Sequence, residues 1–456
     1  MTKKSEETKN LEAVSSKIRG FLKGLLDEDS LVETGAFASG KTILGGVDAP
    51  GEGVVTGYGT IGGCPVYFFA DNGEVFGGSM SQAHAAKIQN VMEMAIRNGV
   101  PFISVIDSAG VRIGEGLKAL DAYSRLTAMA YELKSNVPHI AYIKGNAFGM
   151  TGVYASYADF VICSEKSVMS LNAPSVVCAK EGISSDFNKA FAARKSTLPA
   201  FKVKSDAEVR DLIIDILAVT GTENVDTEDD PNRTDALNGA DAKTLVASLA
   251  DDNKVVEYAS DFAKEVYCAF ASVNGIRVGI VASDKKENEL LTMAGVSKIT
   301  DFVNLLSSFD LPLIELIDYK GFKTCLECEN KGASEKVGRL TEALLDFTGA
   351  RLAVVTGNCV GAIYSVLVSK ELGNGYTLAF DDAFIAPINP ETAVPFYVED
   401  LKKAKDPIKA REQIQALYAS ENSALAAAKE GVVDAVIDPD QIRPYVSSAL
   451  LMLLGL

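Results

Sequence analysis

Residues 87–111, KIQNVMEMAIRNGVPFISVIDSAGV, and residues 298–322, KITDFVNLLSSFDLPLIELIDYKGF, are two copies of one pattern and align without a gap. In each copy, apolar residues recur at helical spacing and a proline follows, at Pro101 or Pro312. A mostly apolar run then ends in an aspartate, and a glycine turn follows. This order predicts an amphipathic helix, a buried strand and a tight turn.

The segments on both sides of the two copies also match. Upstream, GYGTIGGCPVYFFA (57–70) and AFASVNGIRVGIVA (269–282) are each typical of two strands around a glycine turn. Downstream, AYIKGNAFGM (141–150) and AVVTGNCVGA (353–362) are each typical of a strand that runs into a Gly-Asn-x-x-Gly turn. Alternating helices and buried strands predict an α/β fold with right-handed crossovers. The chain is therefore one α/β unit written twice.

The join between the two units is expected in a polar, acidic and turn-rich stretch around residues 219–243. We predict an N-terminal half over residues 1–222, an acidic linker over 223–250 and a C-terminal half over 251–456.

Composition and charge exclude several classes of protein. Of the 456 residues, 47% are hydrophobic, which is enough for a sizeable core. Lys and Arg number 44 against 61 Asp and Glu, a net charge of −17, which argues against a nucleic-acid partner or an anionic membrane surface. The sequence shows no pattern typical of a signal peptide and no apolar run long enough to span a membrane, so we expect a cytoplasmic protein.

Cysteine usage indicates reduced thiols. The seven cysteines are scattered, and several lie in apolar strand-like runs. Cys325 and Cys328 form a lone Cys-x-x-Cys motif without the second pair that a zinc site needs. We therefore expect incidental thiols, no metal site and no disulfide framework.

Four glycine turns are the strongest candidates for chemistry. Such turns leave backbone N–H groups free at the start of a helix, and two N–H groups aimed at one oxygen form an oxyanion hole. The alternative is that the glycines only turn the chain from strand to helix. The matched arrangement in both halves favours one hole per half. The four turns are Gly110-Val111, Gly149-Met150, Gly321-Phe322 and Gly361-Ala362.

Residues 145–159, GNAFGMTGVYASYAD, resemble the second oxyanion segment of the crotonase superfamily, whose members bind acyl-CoA thioesters and stabilise their enolates. Two crotonase-like halves in one chain are characteristic of the carboxyltransferase family of biotin-dependent acyl-CoA carboxylases and decarboxylases. The resemblance implies two tandem crotonase-like (ClpP/crotonase) ββα-superhelix domains. Further segments similar to that family are 51–88, 107–116, 318–322, 399–407 and 427–439.

The resemblance also implies roles for the turns. In the first hole, the N–H groups of Val111 and Met150 would hold the thioester carbonyl oxygen of an acyl-CoA. In the second hole, the N–H groups of Phe322 and Ala362 would hold the ureido oxygen of biotin. The loop expected to flank coenzyme A consists of Phe76, Gly77, Gly78 and Ser79.

The partners implied by the resemblance are an acyl-CoA of the malonyl, methylmalonyl or glutaconyl type and a separate biotin carboxyl carrier protein. The carrier must be separate because no biotinylation sequence occurs in this chain. A further partner would be a membrane decarboxylase subunit, to which the chain would be peripheral, or a biotin carboxylase. The family also implies a homo-oligomer, a dimer or a hexamer.

Other reactions remain as alternatives. Crotonase hydratases carry a catalytic glutamate where this chain has Val153 and Ser365, so hydration is not expected. His84 and His139 lack the paired serine and aspartate pattern of a catalytic triad. A decarboxylase component is favoured over a carboxylase component. A biotin-independent acyl-CoA enzyme and a non-catalytic CoA-binding subunit stay open.

Overall fold

The computed structural model describes residues 15–38, 50–134, 136–182, 198, 200–221, 225–397 and 406–456. The chain divides into two compact units, Met1–Gly221 and Thr222–Leu456. Each unit is an α/β fold built around its own eight-stranded sheet.

The sheet of the first unit has the strand order β1-β2-β3-β4-β5-β6-β8, with β7 paired to β5 beside this path. Strands β1 to β3 pair antiparallel, and the remaining pairs are parallel. The strands are β1 (Val32–Thr34), β2 (Val54–Ile61), β3 (Cys64–Asp71), β4 (Phe102–Ser108), β5 (His139–Phe148), β6 (Phe160–Ser164), β7 (Val168–Ser170) and β8 (Phe201–Val203). The helices are α1 (Ser16–Leu25), α2 (Gln82–Asn98), α3 (Leu117–Lys134), α4 (Met150–Ala155), α5 (Pro174–Glu181) and α6 (Asp206–Val219).

Local sequence sets the ends of these elements. Gly62 and Gly63, both with positive φ, form the two-residue turn between β2 and β3. Helix α2 begins after Ser81, whose hydroxyl accepts the N–H of His84, and ends at Gly99 in the left-handed conformation. The helix presents its apolar face to the sheet, so the core of this unit lies between α2, α3 and the parallel strands.

The second unit repeats the plan with the strand order β16-β14-β13-β12-β11-β10-β9, and β15 pairs with β13. Its strands are β9 (Val255–Tyr258), β10 (Val266–Val273), β11 (Ile276–Ser283), β12 (Leu313–Tyr319), β13 (Arg351–Val360), β14 (Tyr376–Phe380), β15 (Phe384–Ala386) and β16 (Ala435–Ile437). Its helices are α7 (Ala242–Leu249), α8 (Met293–Ser307), α9 (Leu326–Asn330), α10 (Ala333–Leu345), α11 (Pro390–Ala393), α12 (Pro407–Glu421), α13 (Ala424–Lys429) and α14 (Ile442–Leu454).

The segment predicted as an acidic linker, residues 223–250, packs into the second unit from residue 225 onward. Leu245, Val246 and Leu249 of α7 are buried in the core of that unit. Arg443 of α14 donates to the carbonyl oxygens of Asp230 and Leu249 and so ties the segment down. Within the predicted linker, the acidic residues flank a short amphipathic helix, α7.

None of the helices in the described ranges combines the length and the apolar composition that a membrane span requires. Residues 399–405, part of a segment that resembled the family, lie outside the described residues.

Candidate active site

In the first unit, the register of β4 against β5 shifts between Ile106 and Ser108, where both strands end. Asp107 lies in this shift, and its Oδ1 accepts the N–H of Asn146 at 3.0 Å. A Cβ on Gly145 would lie 2.1 Å from the same oxygen. Gly145, the first glycine of the Gly-Asn-x-x-Gly pattern, therefore cannot be replaced by a residue with a side chain without displacing Asp107.

The two glycine turns of the first unit follow directly from these strand ends. Gly110 has φ +102° and Gly149 has φ +62°, a region that favours glycine. A Cβ on Gly110 would lie 3.3 Å from the carbonyl oxygen of Phe148, so the two turns are neighbours. The N–H of Gly149 donates to the carbonyl oxygen of Ser170 at 2.9 Å, which joins the second turn to β7.

Within the described ranges, the N–H groups that follow these glycines have no hydrogen-bond acceptor. Met80 forms an isolated parallel bridge with Val111: its N–H donates to Gly110 at 2.8 Å, and its carbonyl oxygen accepts from Arg112 at 2.9 Å. The N–H of Val111 takes part in neither of these two hydrogen bonds. Met150 is the first residue of α4, where N–H groups have no partner within the helix. Neither N–H donates to an acceptor in the part of the chain that the structure describes.

The predicted coenzyme A loop packs against the same strand end. Phe76 and Gly77 both have positive φ, and Phe76 is partly exposed. The N–H of Ala109 donates to the carbonyl oxygen of Gly77 at 2.9 Å. A Cβ on Gly78 would lie 2.0 Å from the carbonyl oxygen of Asp107, and Ser79 ends the loop. The structure thus brings the loop and the first pair of turns together.

The second unit has the same strand-end geometry. The register of β12 against β13 shifts between Ile317 and Tyr319, around Asp318. The Oδ1 of Asp318 accepts the N–H of Asn358 at 2.7 Å. A Cβ on Gly357 would lie 2.5 Å from that oxygen.

The turns of the second unit also match those of the first. Gly321 has φ +133° and Gly361 has φ +65°, and the N–H of Gly361 donates to Ala386 of β15 at 2.9 Å. Leu291 forms an isolated parallel bridge with Phe322. Across the described residues, the N–H groups of Phe322 and Ala362 have no protein acceptor. Each unit therefore presents one pair of free N–H groups at paired glycine turns.

A cavity of about 450 Å³ opens beside Gly361 in the second unit. Tyr364 and Ser365, which follow the second turn, line one side, and Ala386 and Pro387 line another. Gly361, the residue before Ala362, therefore borders a space that can hold a ligand.

A serine–histidine pair that the sequence reasoning missed lies in the core of the first unit. Ser104 Oγ lies 2.8 Å from His139 Nε2, and both residues are fully buried. Burial lowers the pKa of His139 to about 3, and the Nδ1 atom has no hydrogen-bond partner. Without solvent access and without a carboxylate on Nδ1, the pair is structural and not a catalytic triad. His84 is also buried, at the third position of α2.

Cys325, three residues after the predicted donor Phe322, forms a disulfide with Cys328. The expectation that both are free thiols was wrong, because the start of α9 brings their Cα atoms to 5.1 Å. The other five cysteines are free.

Comparison with known proteins decides the family. The sequence model of one protein family, the carboxyl transferase domain, matches residues 16–454 of this chain. This chain belongs to the carboxyl transferase domain family. The carboxyltransferase recognised from the sequence is thereby confirmed, and the chain is an enzyme of that kind.

Curated relatives of this carboxyltransferase have three different descriptions. It is 31% identical to the methylmalonyl-CoA carboxyltransferase 12S subunit of Propionibacterium freudenreichii subsp. shermanii, over 94% of this chain and 87% of the relative. It is 30% identical to the methylmalonyl-CoA decarboxylase subunit alpha of Veillonella parvula, over 94% and 88%. It is 31% identical to the biotin-dependent acetyl-/propionyl-coenzyme A carboxylase beta5 subunit of Mycobacterium tuberculosis, over 94% and 85%.

The crystal structure of transcarboxylase 12S, described as a hexamer assembly with methylmalonyl-coenzyme A bound, superposes with a TM-score of 0.91. That similarity covers 100% of this chain and 96% of the other, at 27% identity. The predicted tandem crotonase-like fold is confirmed.

Proposed function

We propose that this carboxyltransferase moves a carboxyl group between a malonyl-type acyl-CoA and biotin on a separate carrier protein. The observation that carries the proposal is the pair of free N–H groups in each unit. Two similar holes fit a reaction in which two carbonyl oxygens, one on each substrate, need stabilisation.

In the first unit, the N–H groups of Val111 and Met150 would bind the thioester carbonyl oxygen. Negative charge develops on this oxygen when the α-carbon loses its carboxyl group, or when it loses a proton. Fixed N–H donors stabilise such charge without reorganising during the reaction. The Phe76–Ser79 loop, which packs beside these donors, would hold the coenzyme A portion.

In the second unit, the N–H groups of Phe322 and Ala362 would bind the ureido oxygen of biotin, and the cavity beside Gly361 gives room for it. When bound there, biotin supplies the ring nitrogen that accepts or releases the carboxyl group. The protein would polarise the ureido group through the two donors. Neither Val153 nor Ser365 can act as a carboxylate acid or base, which suits this reaction better than hydration.

We propose that the chain works in the cytoplasm in a biotin-dependent decarboxylase complex, with a carrier protein and a membrane decarboxylase subunit. The relative from Veillonella parvula supports this direction. The relative from Mycobacterium tuberculosis supports the alternative, a carboxylase beta subunit that works with a biotin carboxylase. The same two holes serve both directions.

A carboxyl-transfer assay tests the function. Purified protein is mixed with free biotin and with malonyl-CoA, methylmalonyl-CoA or glutaconyl-CoA, and the decarboxylated acyl-CoA is measured by liquid chromatography. We expect turnover of at least one carboxylated thioester that depends on biotin. Turnover without biotin would indicate a biotin-independent acyl-CoA enzyme. Binding of CoA esters with no turnover under any condition would indicate a non-catalytic subunit.

A further inference from the structure

The two units hold their first glycine turns in the same way. In each, the residue before a helix N-cap pairs with the hole donor: Met80 with Val111, and Leu291 with Phe322. The N-cap hydroxyls also match, because Ser81 donates to the carboxylate of Glu52 and Thr292 donates to that of Glu265. Because both units make these contacts, the contacts are a feature of the fold and do not distinguish the two sites.

The residue after the hole donor differs between the units. In the first unit it is Arg112, which is buried, and in the second it is Lys323, which is exposed. Nη1 of Arg112 donates to Oε2 of Glu52 at 2.5 Å. In the described part of the second unit, Glu265 makes no ion pair.

Arg112 also reaches the predicted coenzyme A loop. Its Nη2 donates to the carbonyl oxygen of Ser79 at 2.9 Å and to that of Glu52 at 3.3 Å. Its guanidinium carbon lies 5.3 Å from the ring centre of Phe76. Glu52 and Phe76 both have positive φ although neither is glycine, so strained backbone lies at both ends of these contacts.

A second buried polar pair, His84 and Asp71, supports Glu52 in the first unit. His84 Nδ1 lies 2.9 Å from the carbonyl oxygen of Glu52, and Nε2 lies 3.1 Å from Oδ1 of Asp71. Oδ2 of Asp71 accepts the N–H of Asp107 at 3.3 Å.

The second unit makes the equivalent contact with an uncharged group. There, Ser283 Oγ accepts the N–H of Asp318 at 2.9 Å, and Gly295 takes the helix position of His84. The second unit folds in the same way with Glu265 in the place of Glu52 but without counterparts of Arg112, His84 and Asp71. The fold therefore does not require the buried network, and a buried ion pair is by itself weak evidence for a role in stability.

We propose that Arg112 is a positioning residue of the acyl-CoA site. Its guanidinium joins Glu52 and the Phe76–Ser79 loop to the strand end that presents the N–H of Val111. The inference rests on the proposed function and adds to it, because it explains why only the acyl-CoA unit carries the network. A donor displaced by about 1 Å loses much of its effect on the transition state, on the order of 10²-fold in rate.

The test uses Arg112→Lys, which keeps the charge but loses the planar fork. The matched control is Lys323→Gln at the equivalent position of the second unit. We expect Arg112→Lys to lower kcat for carboxyl transfer roughly 10²-fold. It should also remove the preference for propionyl-CoA over free CoA in calorimetric binding, while Lys323→Gln keeps both. A loss confined to KM, or an equal loss in the control, would overturn the inference.

Folding is controlled with the double variant Glu52→Gln Arg112→Gln, which leaves no lone buried charge. A folded double variant with reduced kcat and no thioester preference supports the positioning role. A folded double variant with wild-type kcat overturns it, as does loss of folding in both variants, which would make Arg112 purely structural. If the wild-type protein transfers no carboxyl group, the proposed function fails. The comparison of propionyl-CoA with CoA still decides the role of Arg112.

Discussion

At the scale of single residues, two buried lysines repeat between the units and serve the backbone. Lys87 Nζ donates to Gly51 and Val54 at 2.9 and 2.7 Å. Lys298 Nζ makes the same pair of bonds, to Phe262 and Val266. Burial lowers the pKa of both amines, that of Lys87 to about 8. Both lysines anchor the chain as it enters the first strand of the central hairpin.

We predict that Lys298→Met lowers the free energy of unfolding by about 2 kcal/mol, because two buried carbonyl oxygens lose their donor. The control is Lys254→Met in the same unit, where the side chain is 84% exposed and the expected change is within about 0.5 kcal/mol. Urea denaturation of both variants measures the difference. Equal stability of the two variants would show that the Lys298 bonds contribute nothing.

A buried carboxyl and a buried imidazole of the first unit act on stability in opposite directions as pH falls. Burial raises the pKa of Asp159 to about 7 from an ordinary value of 3.8, and burial lowers the pKa of His139 to about 3 from 6.5. Below pH 7 the folded chain takes up a proton at Asp159 that the unfolded chain does not, which favours folding. Below pH 6.5 the unfolded chain takes up a proton at His139 that the folded chain does not, which opposes folding.

We predict that Asp159→Asn removes the gain in folding stability that proton uptake at Asp159 provides as pH falls. Asparagine can still accept the N–H of His139, a bond of 2.9 Å in the wild type. Between pH 6.5 and 4 the variant should lose stability faster than the wild type, by up to about 1.4 kcal/mol per pH unit. Urea midpoints measured at pH 7, 6 and 5 check this. Parallel curves for variant and wild type would contradict it.

At the scale of elements, the glycines of the Gly-Asn-x-x-Gly turns are set by a neighbouring strand. We predict that Gly357→Ala displaces Asp318 and lowers stability by about 2 kcal/mol or more, since the added Cβ would meet that carboxylate. Gly338, in the middle of α10, has no heavy atom within 4 Å of an added Cβ, so Gly338→Ala should raise stability by roughly 0.5–1 kcal/mol. Thermal melting compares them, and a change of the same sign in both would contradict the account.

Sequence patterns were sufficient for the repeated elements. Apolar periodicity predicted α2 and α8, the mostly apolar runs predicted β4 and β12, and paired turn residues predicted the hairpins at Gly63 and Gly275. The helix α7 was missed although its signal was present, because Asp241 is a good N-cap and Leu245, Val246 and Leu249 recur at helical spacing.

The long-range polar contacts could not have been predicted from one sequence. Glu52 and Arg112 are sixty residues apart, and only the completed sheet brings them together. Ser104 and His139 meet across neighbouring strands in the same way. On the strands equivalent to those of Ser104 and His139, the second unit carries the buried ion pair of Glu315 and Arg351.

At the scale of the whole molecule, apolar side chains are exposed beside the first hole. Ile113 is 89% exposed and Leu117 is 81% exposed in the single chain. Exposed apolar residues grouped beside a functional site are typical of surfaces that another chain covers. We predict a homodimer or a hexamer by multi-angle light scattering at working concentration. A monomer that keeps carboxyltransferase activity would contradict this.

The central claim is that the two holes bind different substrates, and proline substitution at the second hole tests it most directly. Ala362→Pro removes one backbone donor, and Met150→Pro is the matched change at the first hole. Both positions begin a helical segment directly after a glycine with positive φ, where proline is tolerated, and melting curves serve as the control for folding.

We predict that Ala362→Pro lowers carboxyl transfer to biotin roughly 10²–10³-fold while acyl-CoA binding stays as in the wild type. Met150→Pro should lower transfer and also lose the preference for acyl-CoA over CoA. A folded Ala362→Pro protein that transfers carboxyl groups to biotin at the wild-type rate would contradict the account.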